Sequence, residues 1–274
     1  MKTGKNGNVV DYGATLQEWP KKIWAWDEVR DCYLPHLSEW KEQGMPLDHM
    51  VWIPAKNYEK GAFEYLAARF QGEIMLLFPQ RDGKVKETRF ACSNVVAVRE
   101  LRYILDCRYL IYYKENNRIE CAAMPYNQAT QYLFTPFLNC ALQLDADFSS
   151  TSRINEDSRP EHLLHEAHEL YSFSEAAFRL GEKIHTYEWG KNYQITKRLF
   201  FKTKKECSWI LCEMDEGWCM IECGANYHET TYLYKQCGKM IHDEGKKTLR
   251  MTVDENDQQF QVRELQYETR NCGR

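Results

Sequence analysis

Residues 72–145 constrain the fold most, because they read as a run of short β-strands followed by one amphipathic helix. Apolar runs or apolar–polar alternation between turn residues are typical of strands in a sheet. The predicted strands are 73–78, 88–92, 95–101, 109–113 and 118–124. This order predicts a small antiparallel sheet that is closed by a helix.

The helix that should close the sheet lies after Pro125, where the apolar period changes to that of a helix. Leu133, Phe137, Ala141 and Leu144 share one stripe of it. Pro136 fits poorly inside a helix, but it fits well at the first helical position behind an N-cap at Thr135. We therefore expect residues 128–134 to be extended or to form a separate turn.

The N-terminal part of the chain predicts helices over residues 15–26, 27–43 and 58–70. Prolines break the first two, and Gly44 is a plausible stop. Four tryptophans crowd this region, where they either cover one edge of the sheet or form an exposed patch for a partner. They are Trp19, Trp24, Trp26 and Trp40.

Residues 148–160 are polar and rich in turn-forming residues, which predicts a linker. The predicted organisation is therefore a first unit over residues 1–147, a linker over 148–160, and a second unit over 161–274. The second unit opens with an amphipathic helix over 161–180. Strands are expected to follow it at 183–189, 194–203, 207–213, 218–223, 230–234, 248–253 and 260–265.

Several segments resemble poorly characterised bacterial proteins with pleckstrin-homology-like domains. In the first half these are residues 48–55, 64–66, 74–78 and 94–98, and in the second half 180–183, 197–202 and 209–213. The resemblance implies an α+β fold of two antiparallel-sheet-plus-helix (pleckstrin-homology-like) units with an N-terminal helical region. It also implies a binding role, with no activity to carry over. The second unit departs from the pattern, since no amphipathic helix follows its last strand.

Charge and cysteine content limit the function further. The chain has 36 basic and 40 acidic residues, a net charge of −4, which argues against nucleic acid as the partner. No apolar run is long enough to span a bilayer, and the N-terminus has no secretory signal pattern. Eleven cysteines without a framework spacing predict reduced thiols in a cytoplasmic protein.

Two groups of residues are of types that can bind metal. His162, His165 and His168 would fan over one face of the predicted helix, which favours a solvated face over a metal site because the H-E-x-x-H spacing is lacking. The second group is Cys207, Cys212, Cys219 and Cys223, with His228 nearby. No C-x2-C spacing occurs among them, so packing in the core is the favoured interpretation and zinc the alternative.

The densest basic run surrounds the apolar residues 199–201. It is the feature that could hold an anionic lipid headgroup or another anion, and the alternative is a solvated strand face. We expect these basic residues to lie partly in the strand 194–203 and partly in the turn after it. They are Lys197, Arg198, Lys202, Lys204 and Lys205.

These observations favour a non-catalytic binding or scaffolding module that contacts a protein partner through a sheet edge or the groove beside the helix. We assign no catalytic residue and no cofactor. The first alternative is an adaptor that binds an anionic lipid or a membrane surface through residues 197–205. The second is a metal-dependent enzyme that uses the histidine or cysteine group.

Overall fold

A computed structural model describes residues 19–55, 64–103, 106–144, 155–177, 181–198, 201–255 and 258–273. The chain is a mixed α+β protein in which antiparallel strands predominate. The strands are β1 Lys21–Lys22, β2 Met50–Ile53, β3 Tyr65–Phe70, β4 Glu73–Pro79, β5 Val85–Ala91, β6 Val95–Tyr103, β7 Asp106–Glu115, β8 Arg118–Tyr126, β9 Ile184–Arg198, β10 Phe201–Met214, β11 Gly217–Gly224, β12 Tyr227–Tyr234, β13 Gly238–Asp243, β14 Thr248–Glu255, β15 Gln258–Gln266 and β16 Asn271–Gly273. The helices are α1 Leu34–Glu42, α2 Gln131–Ala141, α3 Leu163–Glu166 and α4 His168–Ser174.

The strands form three sheets. The first has the order β1-β2-β3-β4-β5, the second β16-β9-β10-β11-β12-β6-β7-β8, and the third β13-β14-β15. The eight-stranded second sheet combines strands from both predicted units, because β12 pairs with β6 from His228 opposite Arg102 to Leu233 opposite Ala97. We call this pairing the β6–β12 seam.

Each half of the chain repeats one order of strands. A four-stranded meander, β2–β5 or β9–β12, precedes a three-stranded meander, β6–β8 or β13–β15. The helix α2 follows the first three-stranded meander, whereas the short strand β16 follows the second. The two halves therefore share one order of strands.

The buried side chains are arranged in layers. α1 packs on the outer face of the first sheet, and α2, α3 and α4 contribute to the core between the first and second sheets. The third sheet covers the opposite face of the second. A strand of the first sheet is buried on both faces, so its sequence is a continuous apolar run. In β3, Tyr65 and Ala67 lie in the core between the first and second sheets, while Leu66 and Ala68 lie in the core beneath α1.

The same layering explains a wrong prediction. Residues 65–70 form strand β3 rather than the end of a helix, and residues 56–63 lie outside the described chain. A strand that is buried on both faces lacks apolar–polar alternation, so its apolar residues can match a helical spacing by chance.

The prediction for Pro136 was also wrong, because α2 begins at Gln131 and contains the proline. Pro136 is the sixth helical residue, so it removes one intrahelical hydrogen bond, since the first four N–H groups of any helix lack an intrahelical partner. The Thr135 hydroxyl donates to the Gln131 carbonyl over 3.2 Å. The burial of Leu133 and Phe134 in the core stabilises the helix and offsets the cost of the missing hydrogen bond at Pro136.

The other helix predictions are corrected in part. The predicted helix 161–180 is interrupted at Ala167, whose φ of −155° and ψ of 66° are not helical, and residues 178–180 are not described. Within 27–43 only Leu34–Glu42 is an α-helix. The predicted separate strands 183–189 and 194–203 are instead the continuous β9 and the start of β10.

The predicted strands 207–213 and 218–223 are confirmed and form a hairpin. They lie in β10 and β11, which pair with Cys212 opposite Cys219 across the turn at residues 215–216. No helix among the described residues is long and apolar enough to cross a membrane.

The shared sheet predicts that neither half folds alone. Expressed separately, residues 1–147 would expose the edge of β6, and residues 161–274 would expose the edge of β12, each beside apolar faces. We expect each fragment to aggregate or to lack a cooperative thermal transition, and co-expression to recover a complex. Size-exclusion chromatography with circular dichroism would measure this, and two fragments that each melt cooperatively as monomers would contradict it.

Candidate functional site

The hairpin of β9 and β10 extends beyond its neighbours in the second sheet. The two strands pair along their whole lengths, but β11 pairs only with residues 208–213 of β10. On the other side, β16 pairs only with residues 187–189 of β9. We call residues 192–198 and 201–207 the ribbon, and no third strand of the described chain pairs with them.

The ribbon is the most basic part of the molecule. Between residues 192 and 207 there are five basic side chains and one acidic side chain, a formal charge of +4. Because the whole chain carries −4, the remainder carries −8. The five basic residues are the predicted anion-binding residues Lys197, Arg198, Lys202, Lys204 and Lys205.

The structure places these residues on paired strands, so the predicted turn position of Lys204 and Lys205 is wrong. The Lys204 ammonium lies 3.5 Å from the centroid of the Tyr193 ring and 3.6 Å from a carboxylate oxygen of Glu268. Lys205 is exposed. The side chains of residues 194–203 lie outside the described chain.

The backbone register places Lys197 opposite Lys202 and Arg198 opposite Phe201.

The three histidines are not arranged as predicted, because the helix that should carry them is interrupted. His162 precedes α3 and is hydrogen bonded through Nδ1 to the Tyr187 hydroxyl over 2.6 Å, with the two rings stacked. His165 lies on α3 and His168 on α4, and both are exposed.

The four cysteines pack as small apolar side chains. Cys212, Cys219 and Cys223 lie in the core between the first and second sheets, and Cys207 is also buried. Burial raises the pKa of the Cys212 thiol well above its ordinary value. No group of three or more His, Cys, Asp or Glu side chains within the described ranges is placed to hold a metal ion.

A polar network that the sequence did not suggest lies on one face of the β6–β12 seam. The buried Glu100 carboxylate accepts hydrogen bonds from Arg102 over 2.8 Å, from the Gln131 amide over 3.2 Å, and from the Tyr126 hydroxyl. The Tyr109 ring stacks on Tyr126 with the centroids 4.8 Å apart. Burial alone would raise the pKa of Glu100, but the charge of Arg102 and the hydrogen bonds from Arg102 and Tyr126 hold it below its ordinary value.

His228 extends this network from the other half of the chain. It pairs with Arg102 across the seam, and its ring lies 4.7 Å from that of Phe173 on α4. Its Nε2 lies 3.1 Å from the Thr230 hydroxyl. Burial, together with the charge of Arg102, lowers the pKa of His228 to about 4.

A second network occupies the opposite face of the seam. The buried Arg263 guanidinium lies 3.0 Å from a carboxylate oxygen of Glu222 and 3.0 Å from one of Glu229, and it donates to the Thr231 hydroxyl over 3.1 Å. Arg99 lies 2.6 Å from Glu229. Every charge in this cluster is paired, so the network can fix the register of the seam.

The sequence does contain a signal for these networks, namely two charged residues inside a predicted buried strand. Residues 95–101 read as a buried strand, yet Arg99 and Glu100 lie within them. Charged side chains in a buried strand need partners. Arg99 pairs with Glu229, which lies 130 residues away in the chain, where no local pattern connects the two. Glu100 is paired with Arg102, Tyr126 and Gln131.

We predict that His228 makes stability depend on pH. Because its pKa in the folded chain, about 4, lies below the ordinary value of 6.5, the unfolded chain binds the proton more tightly between these pH values. The free energy of unfolding should therefore decrease as the pH falls from 6.5 towards 4, by roughly 2 kcal/mol at pH 5.

Urea denaturation at pH 7 and pH 5 would measure the effect of His228 in the wild-type chain and in His228→Asn. The variant should lose most of this dependence. The exposed His165→Asn is the matched control and should behave as wild type. Equal pH dependence in His228→Asn and wild type would show that the prediction is wrong.

No family model matches this chain, and neither a curated protein nor a solved structure gives a significant match. An assignment of function therefore rests on the geometry of the chain itself. The ribbon is a basic segment that extends beyond the neighbouring strands of the second sheet, and the two networks lie in the buried part of the same sheet at the β6–β12 seam.

Proposed function

We propose that this chain is a non-catalytic binding module that docks an acidic, extended segment of a protein partner along the ribbon. The observation that carries this proposal is the projection of β9 and β10 beyond β11 and β16. The outer edges of the ribbon pair with no third strand of the described chain, so an added strand can pair with their backbone groups, apart from the Tyr193 N–H, which donates to the Asn192 side chain.

Charge supports an acidic partner over a neutral one. The ribbon carries +4 on a chain whose remainder carries −8, so acidic ligands are attracted to the ribbon and repelled elsewhere. Lysines on an edge also hinder pairing between copies of the same chain, because their charges repel. An acidic strand removes that repulsion, which gives the edge a preference for one class of partner.

We propose in addition that each half is a pleckstrin-homology-like unit. The order of a four-stranded meander followed by a three-stranded one supports this in both halves, and α2 supplies the closing helix of the first. In this interpretation β6 is an edge strand of the first unit, and β12 of the second unit pairs with that edge. The tandem units are then joined by strand addition, and the ribbon is left for an outside partner.

A cytoplasmic location is part of the proposal. The structure has all eleven cysteines as free thiols, six of them buried. Reduced thiols are the usual state in a compartment kept reducing by glutathione and thioredoxin.

A native pull-down with a matched pair of variants tests the protein-partner proposal. Lys204→Glu/Lys205→Glu reverses the charge of two described, exposed ribbon residues. Lys84→Glu/Lys86→Glu makes the same change on the β4–β5 hairpin, where both lysines are also exposed. We expect a partner to be retained by wild type and by the hairpin variant, and to be lost from the ribbon variant.

Salt gives an independent check on the same interaction. Contacts between opposite charges on exposed surfaces weaken as the ionic strength rises. Elution of the partner should therefore begin well below 1 M sodium chloride. Recovery of no stable partner, or of the same partners by all three proteins, would contradict the proposal.

An anionic membrane surface is the second candidate, and it rests on the same residues. The sequence places the apolar residues 199–201 between the basic ones, a composition suited to a lipid interface. Each lysine near an anionic surface contributes about 1 kcal/mol to binding. Triple reversal at Lys197, Lys202 and Lys205 to Glu should then abolish binding.

Vesicle flotation measures this second candidate. Wild-type protein should float with phosphatidylcholine vesicles that contain phosphatidylserine but not with pure phosphatidylcholine. The triple variant should remain at the bottom of the gradient with both. Flotation of the triple variant at the wild-type level, or no flotation of wild type, would eliminate the membrane candidate.

A further inference from the structure

Two cysteines that are distant in the sequence meet beneath the first sheet. Cys92 opens the short helical turn between β5 and β6, and Cys140 is the penultimate residue of α2. Their sulfur atoms lie 2.6 Å apart. Cys92 is buried, whereas Cys140 is partly exposed.

Neighbouring backbone contacts hold this pair in place. The Cys92 amide donates to the Gly72 carbonyl over 2.7 Å, and the Gln143 side chain donates to the Cys92 carbonyl over 3.2 Å. The two cysteines therefore belong to segments that are fixed against each other independently of the sulfur contact.

The surroundings make the two thiols unequal. The hydrogen bond between the two sulfur atoms, with the nearby charge of Arg69, lowers the pKa of Cys140. The same hydrogen bond, together with burial and the charge of Glu73, raises the pKa of Cys92. The more accessible sulfur of the pair is thus also the more acidic one.

We propose that Cys92 and Cys140 are a peroxide-reactive pair that forms a reversible intramolecular disulfide. The Cys140 thiolate attacks hydrogen peroxide, so that an S–O bond forms, the O–O bond breaks and one water leaves after proton uptake. The Cys92 sulfur then displaces hydroxide from the sulfenic acid, which forms the S–S bond and releases a second water. Two thiols lose two electrons, and one peroxide is reduced to two waters.

Other cysteines of the chain provide internal comparisons. Cys212 and Cys219 also lie opposite each other, but both are fully buried in the core, where an oxidant in solvent does not reach them. Cys121 and Cys272 are exposed and would react as single thiols. The Cys92–Cys140 pair combines a close second sulfur with partial access to solvent.

The test is peptide mapping without reductant after treatment of the full chain with hydrogen peroxide and alkylation of the remaining thiols. We expect one peptide pair joined through Cys92 and Cys140, lighter by two hydrogens, which dithiothreitol separates again. Cys140→Ser should lose this product, and Cys121→Ser, the control, should retain it.

Thermal unfolding gives a second measurement that does not require a variant. A bond across residues 92–140 closes a loop of roughly 50 residues in the unfolded chain, so oxidation should raise the melting temperature by roughly 5–15 °C. Dithiothreitol should reverse the shift. Oxidation confined to Cys121 and Cys272, with Cys92 and Cys140 still open to alkylation, would overturn the proposal, as would a bridge between any other pair.

The ribbon plays no part in this inference. A chain that binds no partner would still form the disulfide, and a chain without the disulfide would still carry the ribbon. Failure of one proposal is therefore distinguishable from failure of the other.

Discussion

The backbone pairing of β6 with β12 is the interaction on which the rest of the structure depends. It joins two meanders into one sheet, which β16 extends to eight strands, and the first and third sheets pack against the two faces of that sheet. Without it the first half would end in an open edge at β6. The second half would lose the support from which its long hairpin projects.

A charged pair that crosses the seam favours one register. Arg99 on β6 pairs with Glu229 on β12, and the buried Arg263 contacts the same carboxylate. A shift of the register by one residue would turn the side chains of one strand to the other face and leave these charges buried without partners, which costs several kcal/mol for each. Paired charges thus restrict the sheet to one register more strictly than the surrounding apolar residues do.

The sequence allowed the local elements to be predicted more reliably than the way they combine. The strands from Glu73 to Tyr126 and the hairpin at Cys212 and Cys219 followed from alternation and turn residues. Strand β3 was missed because it is buried on both faces. The start of α2 was placed too late because the helix contains Pro136 in its interior. The basic residues of the ribbon were identified from composition, but their projection beyond the sheet depends on where β11 and β16 end, which only the pairing determines.

The distance in sequence across the seam has a consequence for synthesis of the protein. Arg99 and Glu229 are 130 residues apart, so β6 leaves the ribosome well before β12 exists. At a typical rate of about 5–20 residues per second, that interval lasts on the order of ten seconds. During this time the open edge of β6 is a template for pairing with other nascent chains. A chaperone that shields the edge, or slow initiation that keeps neighbouring ribosomes apart, would reduce such pairing.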